Sequence, residues 1–390
     1  MPFAAGLSTH PVTAMATGEV VGQILERLGR HPDLAFLFVT RPHVGALEDA
    51  AGTIRELLEP SLLVGCAAES VAGNGHEIEQ APAVALWAGV FGPVAPIRLW
   101  AEGTDEDGQE DQQIEGWPPS APFSAQALVL LADPYSFPID ALLKGLGTHR
   151  PDLRVLGGMA SAAHGPGGNR LALNDRVFTG GAVGVLIGPG VQVETVVSQG
   201  CRPIGRPLVV TKAERNVIYE LAGQPALERL VEMARGGMSE RDIQLINQGL
   251  HVGLVLDEHK ADFGRGDFVI RNVLGADRAN GAIAVGDLVE VGTTIQFHVR
   301  DATSADEDLR ELLAFRHADG ALLFTCNGRG SRLFDEPNHD AAVVSDLLGD
   351  PPLAGFFAAG ELGPIGTRNF LHGFTASLAL FQDGDPSRGG

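Results

Sequence analysis

Three stretches of the chain repeat the same order of apolar and polar positions, and we refer to them as the first, second and third copies. In each copy an apolar strand leads through a helical segment to a second apolar strand, which ends in small residues and precedes a third strand. The predicted strands are 35–40, 62–70 and 83–88 in the first copy, 128–132, 155–161 and 183–187 in the second, and 322–326, 355–361 and 374–380 in the third. Chance similarity among βαβ segments is the alternative, but internal repetition constrains a fold more than any single motif does.

The repeated pattern predicts an α/β fold with two domains, built of repeated β-α-β-β units that form mixed sheets flanked by helices. The first domain is expected over residues 1–218 with two copies, and the second over 219–382 with one copy and extra strands. An acidic run at about 102–120 predicts a mobile surface insertion, with a metal site as the alternative. Residues 383–390 are polar and glycine-rich, as is typical of a frayed tail.

Composition narrows the class of protein. At 390 residues, 44% of them apolar, the chain is long enough for two globular domains. Its net charge of −21 repels nucleic acid and anionic lipid surfaces. We expect no membrane insertion, because no apolar run reaches the roughly 20 residues of a membrane span, and we find no secretory signal. Three widely spaced cysteines (Cys66, Cys201 and Cys326) argue against a disulfide framework and for a cytoplasmic location.

Sequence motifs of catalysis and metal binding are missing. There is no Gly-x-Ser-x-Gly turn, no phosphate-binding Gly-Lys-Ser/Thr, no His-Glu-x-x-His and no Cys-x-x-Cys. The 12 histidines show no metal-ligand spacing. We therefore expect no enzyme activity, no catalytic residue and no metal site. A hydrolase or transferase that works without a cofactor is an alternative.

Several segments together resemble the FIST family, whose members pair a FIST N domain with a FIST C domain. The segments that carry the resemblance are 6–8, 32–38, 64–70, 200–205, 324–330, 355–364 and 369–375. The segments 324–330 and 355–364 are the most specific, and the resemblance covers roughly residues 30–380. One departure lies in the first-copy turn, which has Ala67 and Ala68 where the commoner family form has Ser-Thr. This member is therefore expected to bind a different ligand there, or none.

The resemblance implies a stand-alone bacterial protein of intracellular signal transduction that binds a small ligand in a cleft between its two domains. The ligand would be an amino acid or a related metabolite, and its binding would pass a conformational signal to a separately encoded signalling protein. A subset of FIST proteins is linked to haem and nitric-oxide sensing, so a haem-based nitric-oxide sensor is the first alternative. Otherwise no cofactor is expected.

Candidate ligand-binding residues follow the ends of the repeated strands, where ligands of open α/β sheets tend to bind. Arg329 lies between Gly328 and Gly330, which would let the backbone approach a ligand closely, and its planar guanidinium suits a carboxylate. Glu361 ends another apolar strand, so it is predicted either to contact the ligand or to pair with Arg329. A structural role in capping a turn is the alternative for Arg329.

The other candidates come from the equivalent turns and from the C-terminal motif. They are Gly65, Cys66, Ser161, Cys326, Asn369 and His372. Each cysteine is either a small buried hydrophobe or a reactive or haem-ligating thiol, and packing explains Ser161 equally well. His372 would bind a ligand, ligate haem or serve a structural role. We predict that Arg329, Glu361, Asn369 and His372 converge on one cleft with the first-copy turn.

Overall fold

The computed structural model describes residues 2–102, 113–118 and 123–384. The chain divides into two compact units. Unit 1 comprises Met1–Val197, Leu309–Leu371 and Thr375–Gly390, and unit 2 comprises Ser198–Asp308 and His372–Phe374. Most of the predicted acidic insertion, together with residues 385–390 of the predicted tail, lies outside the described residues. The predicted domain boundary at residues 218 and 219 falls inside unit 2.

The first copy lies in unit 1. Its elements are β1 (Phe3–Ser8), α1 (Thr13–Leu28), β2 (Leu34–Thr40), α2 (Leu47–Leu58), β3 (Leu62–Ala68), β4 (Ser70–Gly73), β5 (His76–Glu79) and β6 (Val84–Gly89). The helices form because their apolar residues recur at helical spacing, as Val20, Ile24 and Leu28 do in α1, and this stripe is buried. A left-handed Gly29 then ends α1.

The second copy also lies in unit 1. Its elements are β7 (Val94–Glu102), β8 (Gln113–Glu115), β9 (Ala127–Ala132), α3 (Ile139–His149), β10 (Arg154–Met159), β11 (Leu171–Leu173), β12 (Arg176–Phe178) and β13 (Ala182–Ile187). Strand β8 pairs antiparallel with β7, so the described end of the predicted insertion extends the sheet edge.

The third copy opens with β14 (Val191–Gln199) and is then interrupted by unit 2. Unit 2 contains β15 (Cys201–Glu214), β16 (Val217–Leu221), β17 (Gln224–Pro225), α4 (Ala226–Arg235), α5 (Glu240–Gln248), β18 (Leu250–Val255), β19 (Phe268–Asp277), β20 (Ala282–Val285) and β21 (Thr294–Arg300). The copy resumes with α6 (Ala302–Leu313), β22 (Gly320–Cys326), α7 (His339–Leu348), β23 (Leu353–Ala358), β24 (Glu361–Ile365), β25 (Arg368–His372) and β26 (Thr375–Asp383). In the first copy the same place, between β1 and α1, holds only residues 9–12.

The predicted β-α-β-β units and the α/β fold class are confirmed. The first two strands of each copy pair in parallel, namely β2 with β3, β9 with β10, and β22 with β23. The third strand of each copy, β6, β13 or β26, returns antiparallel to the first. Each copy therefore builds the same mixed sheet, with its second strand at one side.

Each copy then completes its neighbour's sheet with a hairpin. The hairpin β11–β12 of the second copy pairs with β3 of the first copy. The hairpin β24–β25 of the third copy joins β10 of the second, and the hairpin β4–β5 of the first copy joins β23 of the third. The exchange is cyclic, so no sheet is finished by its own copy alone.

Two features recur in all three exchanged sheets: a glycine in the second strand and a hydrogen bond from that strand to an asparagine. Each second strand carries a glycine, Gly65, Gly157 or Gly355, where a methyl group would lie 1.8 to 2.5 Å from a carbonyl oxygen of the first strand. Two residues before each glycine, the backbone N–H donates to an asparagine side chain near the hairpin turn. The acceptors are Asn174, Asn369 and Asn74, at 3.0, 2.9 and 3.4 Å.

The three sheets share one core. Their inner faces meet in a cluster that includes Phe36, Leu156 and Phe324. The outer faces pack against α1 and α2 in the first copy, α3 in the second, and α6 and α7 in the third. This arrangement leaves the carboxyl ends of the parallel strands as the place where polar side chains of all three copies can meet. Among the described residues, no helix is both long and apolar enough to cross a membrane.

Unit 2 is mainly antiparallel. Its strands pair in the order β15, β21, β18, β19, β20 and β16, and β16 pairs again with the long β15, so the pairings close on themselves. The interior holds Phe297 and Val252 together with two buried histidines. Burial lowers the pKa of both His251 and His298 to about 4, so these imidazoles are neutral at pH 7.

Candidate functional site

Ser161 links the three copies of unit 1 at the ends of their second strands. Its hydroxyl accepts the backbone N–H of Glu69, from the first copy, at 2.9 Å. The same hydroxyl donates to the backbone carbonyl of Phe357, in the third copy. Ser161 itself follows β10 of the second copy and is buried. The serine predicted from the sequence is therefore a junction at which all three copies meet.

A surface pocket of about 440 Å³ lies next to this junction. Its lining residues are Arg41, Pro42, Glu69, Gln80, His164 and Arg332. Four of them come from the first copy, His164 from the second and Arg332 from the third, and all lie in unit 1. Its volume is in the range of about 300–1,000 Å³ that small-molecule sites occupy.

Arg332 and Glu69 form an ion pair across the pocket. Nη2 of Arg332 lies 2.5 Å from Oε1 of Glu69, and Nη1 donates to the carbonyl of Asn327 at 2.9 Å. The arginine side chain is 44% exposed, whereas that of the glutamate is only 13% exposed. Solvent, or a ligand, therefore reaches the guanidinium of Arg332 more easily than it reaches the carboxylate of Glu69.

The loop that carries Arg332 is held by Glu79. Glu79 at the end of β5 accepts the N–H and hydroxyl of Ser331 at 2.9 and 2.6 Å. Gly330 has φ of 57°, and a side chain there would lie 2.8 Å from the Glu79 carboxylate. This glycine is thus explained by the turn and by the approach of Glu79, and the turn presents Arg332 to the pocket.

Arg329, three positions earlier, is completely buried. Nε and Nη2 donate to the two carboxylate oxygens of Asp340, each at 2.7 Å. Thr325 donates to the same carboxylate at 2.6 Å, and His339 Nδ1 lies 2.9 Å from it. Burial alone would raise the pKa of Asp340, but the Arg329 guanidinium outweighs it and holds the pKa well below its usual range. The geometry places Arg329 in a buried ion pair and out of reach of a ligand in the pocket.

Two more carboxyl groups are buried close to Arg329. Glu361 accepts the N–H and hydroxyl of Thr375 at 3.1 and 2.9 Å, and burial raises its pKa to about 8. Glu77 accepts the N–H of Ala341 at 3.0 Å, and burial followed by the charge of Asp340 raises its pKa to about 8. Both glutamates are thus mainly protonated at pH 7, which lets them stay buried near one arginine.

The two cysteines predicted as site residues lie in different surroundings. Cys66 is fully buried in the shared core, and burial raises the pKa of its thiol. Cys326 is half-buried at the end of β22, and its Sγ accepts the N–H of Gly328 at 3.4 Å. Its thiol also lies close enough to Glu361 to act against the rise of that carboxyl pKa. Of these two residues, only Cys326 is partly exposed to solvent.

The other predicted residues do not gather at the pocket. Gly65 is required by the packing of β3 against β2, as described above. Asn369 binds the backbone at the start of β10, whereas Ser161 follows the end of that strand, so the two are kept apart. His372 is buried and belongs to unit 2. Of the predicted site residues, Ser161 adjoins the pocket, and Gly330 lies on the loop that carries Arg332.

Sequence reasoning missed the residues that line the pocket, although a signal was present. Arg41 directly follows β2, Glu69 follows β3, and His164 comes five residues after β10. Polar side chains just past the ends of the parallel strands mark the usual ligand position. Asp340 was missed as well, although it stands at helical spacing with the buried Val344 and Leu348. A carboxylate on an apolar helix face indicates a buried cationic partner.

Candidate metal ligands are not grouped. Within the parts of the chain that the structure describes, no three His, Cys, Asp or Glu side chains are placed to hold a metal ion. In the cluster around Arg329, Asp340 pairs with the guanidinium, Glu77 accepts the N–H of Ala341, and Glu361 accepts the N–H of Thr375.

Three exchanged β-α-β-β copies with a polar pocket at their strand ends define a repeat-built protein with a pocket of small-molecule size. A family model for the FIST N domain matches residues 33–224, and one for the FIST C domain matches residues 226–364. The chain therefore belongs to the FIST family, as the sequence motifs predicted. FIST domains are associated with sensory roles in signal transduction.

Curated relatives from mycobacteria match along almost the whole chain. The "Uncharacterized protein MT0656" of Mycobacterium tuberculosis (strain CDC 1551 / Oshkosh) is 44% identical over 391 residues, covering 98% of this chain and 100% of the relative. The "Uncharacterized protein Mb0898c" of Mycobacterium bovis (strain ATCC BAA-935 / AF2122/97) is 44% identical over 393 residues, covering 98% of this chain and 99% of the relative.

Proposed function

We propose that this chain is a small-ligand-binding protein of signal transduction and that its ligand binds in the pocket beside Ser161. The main observation behind the proposal is that all three copies contribute lining residues to one pocket at their strand ends. Ligands of open α/β sheets bind at such positions. A ligand that touches all three copies could change how they pack against one another.

The pocket also draws on both family segments. Arg41, Glu69, Gln80 and His164 lie within the residues matched by the FIST N model, and Arg332 lies within those matched by the FIST C model. This supports the expectation that ligand contacts come from both FIST domains. A guanidinium and a carboxylate in one pocket would suit an amino acid or a related metabolite, which carries both a carboxylate and an ammonium group.

The proposed signal starts at Glu69. Its side chain lines the pocket, while its backbone N–H is bound by Ser161, which in turn donates to Phe357 at the end of β23. A ligand that moves the Glu69 side chain would therefore act on a hydrogen-bonded chain that crosses all three copies. A separately encoded signalling protein would receive the change. The proposal assigns no catalytic residue and requires no cofactor.

A binding screen with a blocked pocket tests this proposal. Thermal-shift measurements against a library of amino acids and metabolites would be made on the unchanged protein, on His164→Trp and on His149→Trp. His164 lines the pocket, whereas the matched control His149 is an exposed residue at the end of α3. We expect a ligand that raises Tm in the unchanged protein and in the control but not in His164→Trp. A ligand that stabilises all three proteins equally would contradict the proposal.

A further inference from the structure

We propose that the pocket ligand is held through an anionic group by Arg332 and Arg41, and that Glu69 occupies the place of this group while the pocket is free. This inference rests on the function proposed above and names the chemistry of its ligand. The anionic group is a carboxylate or a phosphate, because both offer paired oxygens to a guanidinium.

The charge of the pocket differs from that of the chain. The whole chain has a net charge of −21, yet the pocket holds two arginines against one glutamate. Arg41 forms no ion pair with any described residue, and Arg332 pairs with Glu69 across the pocket and donates to the Asn327 carbonyl. An excess of positive charge at a concave site raises the local concentration of small anions.

Glu69 has the position of an internal stand-in for a ligand carboxylate. It reaches Arg332 with a single oxygen, Oε1, at 2.5 Å, from a strand end in another copy. Because Arg332 is 44% exposed, water screens this pair, so the pair is weak. A ligand anion that engages two arginines would make more charge-assisted hydrogen bonds than Glu69 does, so exchange favours the ligand.

This exchange makes Glu69 a negative determinant of affinity. A bound anion must move the Glu69 carboxylate away from Arg332, or suffer repulsion from it at short range. Removing only the charge of Glu69 would therefore strengthen anion binding, whereas a residue that merely shapes the pocket would weaken binding when changed. Glu69→Gln keeps the backbone N–H that donates to Ser161, so this change removes only the charge of the side chain.

Isothermal titration calorimetry at low ionic strength, with the full chain, tests the inference. The probes are inorganic phosphate and succinate, which separate the two sources of the anionic group. We expect Glu69→Gln to bind the preferred probe about three- to tenfold more tightly, as loss of a nearby like charge predicts. Arg332→Met should weaken binding by about tenfold or more, since it removes a charged hydrogen-bond donor.

The matched control is Asp175→Asn, which removes the carboxylate of another Arg–acid pair of unit 1. Arg55 and Asp175 are 3.7 Å apart at an exposed site that does not line the pocket. This variant should bind the probes as the unchanged protein does. Tighter anion binding in Glu69→Gln alone would support the inference.

Two results would overturn the inference. One is that Glu69→Gln binds neither probe more tightly than the unchanged protein; the other is that Arg332→Met binds them equally well. Either can occur while the His164→Trp screen still finds a pocket ligand, and then only the anionic chemistry fails. If His164→Trp leaves all binding intact, the proposed function itself fails.

Discussion

Arg329 and Arg332 lie on the same loop after β22, yet the first is fully buried and the second is 44% exposed. Arg329 makes two hydrogen bonds to Asp340 inside unit 1, while Arg332 makes one to Glu69 at the edge of a pocket. Burial makes the first pair costly to break and hard to reach. Exposure makes the second pair weak and exchangeable, which is what a ligand site requires.

The difference arises from what each arginine meets across the loop. Arg329 points to the first turn of α7, where Asp340 faces the core. Arg332 follows Gly330, whose left-handed backbone conformation forms a turn between the two arginines. Two arginines that are only three positions apart therefore have different roles. Arg329 forms a buried ion pair, and Arg332 is a candidate binding residue. The following predictions separate the two regions.

The largest effect is expected for Arg329→Met. It strands the buried Asp340 without its cation, and loss of one partner of a buried pair costs about 3–5 kcal/mol of unfolding free energy. Arg332→Met is the matched control and should cost less than about 1 kcal/mol, because its pair is exposed. Urea denaturation followed by circular dichroism measures both. Equal losses in the two variants would remove the distinction drawn between them.

A pH-dependent effect is expected for Glu361→Gln. The pKa of Glu361 is raised to about 8 in the folded state by burial, against an ordinary value of 4.5. The folded state then holds a proton that the unfolded state releases, so this group's contribution is full below pH 4.5 and is lost as the pH rises through 8. Glutamine is neutral at every pH, so the variant loses no stability from this position as the pH rises.

The measurement for Glu361→Gln is the difference in unfolding free energy between the variant and the unchanged protein from pH 5 to pH 8. It should shift in favour of the variant by at most about 1.4 kcal/mol per pH unit. The comparison of two proteins cancels the titration of other groups, including the buried histidines of unit 2. A constant difference would show that Glu361 is ionised in the fold throughout this range.

A smaller loss of stability is expected for Ser161→Ala, which changes the junction beside the pocket. It leaves the carbonyl of Phe357 and the N–H of Glu69 without their partner, and an unsatisfied buried group costs about 1–3 kcal/mol. Ser61→Ala, an exposed serine away from this junction, is the control. Thermal unfolding would show the loss, and a Tm that falls no further than in the control would contradict the role of Ser161 as a junction.

Thiol labelling should distinguish the end of β22 from the buried core without a change of sequence. Cys326 is half-buried, whereas Cys66 and Cys201 are buried. Iodoacetamide applied to the native protein should therefore modify Cys326 first, and the other two should react only after denaturation. Peptide mass spectrometry identifies the adducts. Native labelling at Cys66 would indicate that the shared core opens readily.

The repeated copies could be predicted from the sequence because each is a local pattern of apolar strands and helices. The exchanged hairpins could not, because an alternating strand such as β5 carries no mark of the sheet it will join. The same limit applies to the site. Polar residues at strand ends indicated its position, but whether Arg329 or Arg332 is exposed depends on Asp340 and Glu69, which lie in other elements.

The cyclic exchange of hairpins has a consequence for synthesis of the chain on the ribosome. Val71 in β4 pairs with Phe356 in β23, so this hairpin cannot dock until most of the chain has been made. At about 5–20 residues per second, the wait is roughly 15–60 s. Throughout that time a strand with an unpaired edge is available to other chains. We expect nascent chains that stop before residue 353 to be cut by protease at 70–79, and completed chains to resist.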